Sequence, residues 1–102
     1  MLELRPNCEH CNAALPPDAT NAMICSYECT FCANCALNVL QNVCPNCGGG
    51  FCQRPVRPAT DWVGGCYLGN HPAAAKPVLK PVDRARHAQV LQRQNGLPPE
   101  RR

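Results

Sequence analysis

The chain has 102 residues, ten of them cysteine, only five from Phe, Trp and Tyr together, and a formal net charge of +3. That length suits one small domain with some additional chain, and the cysteine content leaves a disulfide scaffold or a metal scaffold. No apolar run approaches the roughly 18 residues of a membrane span, which excludes a helical membrane protein. The opening MLELRPNCEH lacks a basic stretch followed by an apolar one, so it does not read as a secretory signal. The expectation is a cytoplasmic chain with reduced thiols. Dense Cys-x-x-Cys pairs in that setting point to metal, and zinc is the expected ion.

Charge divides the chain. Residues 1–52 hold nine cysteines, one basic residue (Arg5) and four acidic ones (Glu3, Glu9, Asp18, Glu28), a balance of −3. Residues 53–102 hold nine basic and three acidic residues, a balance of +6, and seven of the eleven prolines. Eight thiolates around two zinc ions add −4, because ligating cysteines are deprotonated. The metal-loaded chain then stands near −1, so the basic sum alone is no argument for nucleic acid.

After a short lead-in, residues 8–47 carry eight cysteines: Cys8 and Cys11, then Cys25, Cys29, Cys32 and Cys35, then Cys44 and Cys47. Large apolar side chains are few there: Leu15, Met23, Ile24, Tyr27, Phe31, Leu37, Val39, Leu40 and Val43. So small a core needs a staple. A structural zinc site contributes about 10–16 kcal/mol of folding free energy at neutral pH. Eight cysteines supply two tetrahedral sites.

Local sequence suggests how they are arranged. The residue after the second cysteine of a zinc knuckle often takes the left-handed conformation, which Gly and Asn tolerate best. Asn12 follows Cys11 and Gly48 follows Cys47, so both pairs read as knuckles, with Pro45 setting a turn in CPNC. AMICSYEC reads as a strand or hairpin arm carrying Cys25 and Cys29. CALNVLQ reads as a short helix with Leu37 and Leu40 on one side. Cys32 and Cys35 then stand at its start, where the helix dipole favours thiolates. A knuckle facing a helix start is the treble-clef arrangement.

Two wirings satisfy these constraints. In the interleaved one, Cys8, Cys11, Cys32 and Cys35 share one zinc, and Cys25, Cys29, Cys44 and Cys47 share the other. In the sequential one, Cys8, Cys11, Cys25 and Cys29 form a site, and Cys32, Cys35, Cys44 and Cys47 form the next. The second sequential site would close over only eight residues and would have to include the helix, so the interleaved wiring is favoured.

The order and spacing of the eight cysteines, with the proline in CPNC, resemble a RING finger over residues 8–47. A second resemblance is more specific. LELRPNCEHC, ICSYECTFCANCALNVL, CPNCGG and RPVRPA are similar to a short bacterial family known as domain of unknown function 1272, over roughly residues 1–59. That resemblance implies zinc and brings no established activity. A RING ligase carries an apolar residue just before its second ligand, where this chain has His10. It often carries a cation after its last ligand, where this chain has Gly48. Ligase activity therefore stands as an alternative.

GGG at 48–50 closes the cysteine block, and the Pro-rich basic stretch 53–102 follows. Its composition predicts a loosely ordered, partly polyproline-like tail. One short helix is expected over 84–94, with Asp83 as cap and Gly96 then Pro98 as stop. Cys52 and Cys66 read as surplus thiols outside any Cys-x-x-Cys pair. His10 reads as an exposed knuckle residue, and His71 and His87 have no evident partner. Trp62 reads either as a residue folded back onto the block or as an anchor for a partner.

The expected fold is a small metal-stapled α+β unit: a RING-like, treble-clef, two-zinc cross-brace at 1–52 with a short β-hairpin and one short helix. The tail occupies 53–102. Four thiolates per ion leave no open coordination position, so no catalysis is expected. The expected role is protein interaction with structural zinc. The alternatives are a ubiquitin-like ligase adaptor, a nucleic-acid-binding zinc protein and a thiol redox sensor.

Overall fold

The computed structural model describes residues 1–102. Its centre is a small antiparallel sheet. Strand β1 (Ala22–Ile24) pairs with β2 (Thr30–Cys32) in the register Ala22↔Cys32, Met23↔Phe31 and Ile24↔Thr30. On its other edge β1 pairs with β3 (Cys52–Gln53), giving the order β2-β1-β3. The hairpin read from the sequence is thus two strands of a three-stranded sheet. The third strand crosses residue 52, where composition suggested that the block ends. Between β1 and β2 the chain turns tightly: the Glu28 N–H donates to the Cys25 carbonyl at 3.0 Å, and Glu28 takes φ of 65°.

After β2 the chain makes one π-helical turn, Cys35–Val39, closed by the Leu40 N–H on the Cys35 carbonyl at 2.8 Å. This wider hydrogen-bonding pattern changes which residues share a face. Leu40 is fully buried, whereas Leu37 is 49 % exposed, so the two do not form the common apolar side that α-helical spacing suggested. Leu15, Ala22, Phe31, Ala36 and Leu40 form the core together with six of the cysteines. Phe51 packs edge-on against Phe31, with ring centroids 5.4 Å apart.

The segment after β3 is tied down where composition suggested a loose tail. Arg54 is 1 % exposed. Its guanidinium donates to the carbonyls of Arg5 (2.8 Å), Leu15 (3.2 Å) and Pro16 (2.9 Å), and its backbone N–H donates to Ala22. Arg57 donates to the carbonyls of His71 (2.8 Å) and Leu2 (2.7 Å). Helix α1 (Arg84–Gln94) is capped by Asp83, whose carboxylate accepts from the Arg86 N–H at 3.1 Å, and ends at Asn95 in the left-handed conformation. His87 anchors this helix. It is 5 % exposed, and its Nε2 donates to the Leu40 carbonyl at 2.9 Å. Gln94 donates to Gly48 and Arg102 donates to Asn42. The tail orders through polar bonds from a few side chains to block carbonyls, which a count of apolar residues does not register. No helix is long and apolar enough to cross a membrane.

Candidate metal centre

Two knuckles share one hydrogen-bond pattern. In the first, the Asn12 N–H donates to the Cys8 carbonyl at 3.0 Å, and the Cys8 N–H donates to Ala13 at 2.9 Å. In the second, Gly48 donates to Cys44 at 2.8 Å, and Cys44 donates to Gly49 at 2.8 Å. Asn12 and Gly48 occupy the same place in each loop, at φ of 64° and 78°. The left-handed residue turns the loop back so that its N–H groups point at sulfur. The Gly49 N–H lies 3.4 Å from Cys47 Sγ.

These loops meet sulfurs from the sheet. The thiols of Cys8, Cys11, Cys32 and Cys35 all lie within 4.8 Å of one another. Cys8 and Cys11 come from the first knuckle, Cys32 ends β2, and Cys35 opens the π-helical turn. A tetrahedron of metal–sulfur bonds of about 2.3 Å has edges of about 3.8 Å. Cys11 and Cys32 are 3.7 Å apart, so this group fits a four-thiolate ion. A second group brings together Cys25, which follows β1, with Cys44 and Cys47 of the second knuckle. Cys29 is buried, and its carbonyl accepts from the Cys25 N–H at 3.2 Å, but its sulfur lies outside that set of three. The two groups alternate along the chain. Either can hold a metal ion.

Burial pushes the thiols of Cys29, Cys32, Cys35 and Cys44 above the ordinary cysteine range. Burial acts the same way on Cys8, but the N–H groups of Cys11, Cys32 and His10 outweigh it and bring that thiol down. A bound cation reverses this balance, since coordination deprotonates a thiol outright.

Glu9 joins the parts. It is 3 % exposed and sits inside the first knuckle. One carboxylate oxygen accepts from the Thr30 N–H at 2.8 Å and from Arg5 at 3.0 Å, and the other accepts from the Asn46 amide in the second knuckle at 3.3 Å. Burial weakens the Arg5 cation, but Glu9 and Glu3 more than restore it. Sequence reading passed over Glu9 and Asn46, although a carboxylate inside a Cys-x-x-Cys pair four residues from the block's only cation was a signal. Cys52 and Cys66 are exposed and join neither group. His10 also lies outside both groups, with its Nδ1 accepting from the Val82 N–H at 2.9 Å. Trp62 is 76 % exposed, so it does not fold back onto the block.

The family model for DUF1272, described as a protein of unknown function, matches residues 1–57. The matched stretch contains both sulfur groups together with Arg54 and Arg57. The chain is also similar to "Uncharacterized protein R02474" of Rhizobium meliloti (strain 1021), at 56 % identity over 81 residues, covering 79 % of this chain and 89 % of that protein. No solved structure matches the chain.

Proposed function

This chain belongs to the DUF1272 family, and we propose that it is a RING-like, treble-clef module with two structural zinc ions that presents a protein-binding surface and performs no catalysis. The observation that carries this reading is the alternation of the two sulfur groups along the chain. Each group draws on a knuckle and on the sheet region, so two metals brace one folding unit. Cys29, buried beside the second group, is the fourth ligand of the second site in this reading. All-sulfur tetrahedral sites suit zinc or iron. Zinc is favoured because nothing in a structural brace calls for redox chemistry. Four thiolates leave no open position for water or substrate. The module works in a reducing compartment such as the cytoplasm, where the thiols remain available to metal.

Preorganisation is its mechanism. Metal fixes two loops that have little core beneath them, so a partner meets an ordered surface and the ordering entropy is spared at binding. A ligase role is disfavoured because His10, at the place where ligases present an apolar contact, is engaged by Val82.

The test is native mass spectrometry of protein produced with zinc, with metal analysis, followed by Cys25→Ser and Cys32→Ser. Two zinc ions per chain, with either substitution unfolding the block, is the expected result. One ion or none would overturn the reading. Independent loss of the two ions would replace the interleaved brace with two sequential sites.

A further inference from the structure

Residues 77–83 form no helix or turn of their own. They lie along the first knuckle, in a regular register. Asn7 makes a paired contact with Val78: its Nδ2 donates to the Val78 carbonyl at 2.8 Å, and its Oδ1 accepts from the Val78 N–H at 3.0 Å. The Lys80 N–H donates to the Glu9 carbonyl at 2.8 Å, and the Val82 N–H donates to His10 Nδ1 at 2.9 Å. Donors at 78, 80 and 82 have a period of two, which is one edge of an extended chain. Pro77 and Pro81 occupy the alternate, odd-numbered positions, where a missing N–H removes no bond.

The segment is held in a way that another chain could reproduce. Between Pro55 and Arg86 no residue is buried. The segment is held chiefly through its own main-chain groups, bonded to the Asn7 and His10 side chains and the Glu9 carbonyl, with two side-chain additions: Val82 packs against the core cluster, and Lys80 Nζ donates to Asn46 at 3.3 Å. Few buried apolar contacts mark a segment that opens locally at low cost. Recognition of this kind takes its affinity from backbone bonds and its specificity from alternate side chains.

We infer that the edge formed by Asn7, Glu9 and His10 is a docking site for an extended, proline-tolerant segment of a partner protein, and that Val78–Val82 is its internal occupant. The partner segment offers N–H donors at alternate positions, a central lysine facing Asn46 and an apolar residue two positions later. The inference rests on the protein-interaction reading above. The internal segment competes with the partner, so the edge is open only in the fraction of molecules whose strap has lifted.

The probe is a fluorescein-labelled peptide with the sequence of residues 76–83, titrated by anisotropy into the full, metal-loaded chain and into its Lys80→Pro variant. The variant loses the central internal donor and gains about tenfold in peptide affinity over the wild type. N-methylation of the peptide backbone at the Lys80 position abolishes binding, and N-methylation at the Leu79 position leaves it intact. Metal content and circular dichroism establish that the variant is folded, and Val82→Pro repeats the test should it not be. No saturable binding to a folded, two-metal variant overturns the docking site and leaves the metal module standing. Absence of metal overturns the module before any peptide is added. Equal losses from the two methylated peptides, or a concentration-dependent dimer that excludes the peptide, also overturn the inference, the latter by giving the edge to a second copy.

Discussion

Asn46 in the second knuckle donates its amide to Glu9 in the first, across 3.3 Å and 37 residues of chain. The same Glu9 carboxylate holds Arg5 and the Thr30 N–H. Replacing Glu9 with Ala strands the Thr30 donor and leaves a half-buried Arg5 without its nearest counter-charge. Breaking a buried pair from one side costs about 3 kcal/mol. Glu9→Ala should lower stability by about that amount in denaturant titration of the metal-loaded protein. Because Glu9 touches both knuckles, it should also weaken both metals together in chelator competition. A loss confined to one ion would show that this bridge does not couple the sites.

Arg54 makes a different kind of contact. Its cation is buried against three carbonyls with no carboxylate within reach, and burial lowers its pKa. A guanidinium spreads donors over a planar fork, which a lysine ammonium cannot match. Arg54→Lys keeps the charge and loses the fork. The expected cost is about 2 kcal/mol, read as a lower melting temperature with unchanged metal content. An unchanged melting temperature would mean that the fork adds nothing beyond its charge.

These two residues mark where sequence reading stopped short. The knuckles were legible because Cys-x-x-Cys followed by Asn12 or Gly48 is a local pattern with a local cause. A small α+β unit with two cysteine clusters was legible from spacing. β3 was not, since Cys52–Gln53 is only two residues long and lies among glycines and prolines. The order of the tail was not legible either. It comes from Arg54, Arg57, Asn7 and His87 reaching block carbonyls or strap backbone, and such bonds have no periodicity in the sequence. Leu37 was misplaced because one π-helical turn shifts the face that α-helical spacing assigns.

Gly48 tests the knuckle geometry directly. At φ of 78° a β-carbon is strained, and it would also lie 3.1 Å from the Gln94 amide. Gly48→Ala should cost about 1–2 kcal/mol and weaken the ion held by Cys44 and Cys47. Gly48→Asn should recover part of the loss, because Asn tolerates this conformation as it already does at Asn12. Equal effects of Ala and Asn would point to the Gln94 contact as the cause.

Metal binding should be coupled to protons with a definite sign. In the metal-free fold the thiols of Cys29, Cys32, Cys35 and Cys44 stand above the ordinary range, so they are protonated at neutral pH. Each must lose its proton to ligate an ion. A bound thiolate has a pKa below its unfolded value of about 8.5. The stability supplied by metal is therefore fully present above that value and lost as pH falls. Without metal the sign reverses: a raised thiol pKa favours the fold below about 8.5 and penalises it as pH rises through the folded values. Calorimetric titration of zinc in two buffers of different ionisation enthalpy counts the protons released, and at least four per chain are expected at neutral pH. Zinc affinity should rise with pH over the neutral range. A release of fewer than two protons would mean that the thiols are already ionised before metal arrives, and that the knuckle N–H groups outweigh burial at more sites than Cys8.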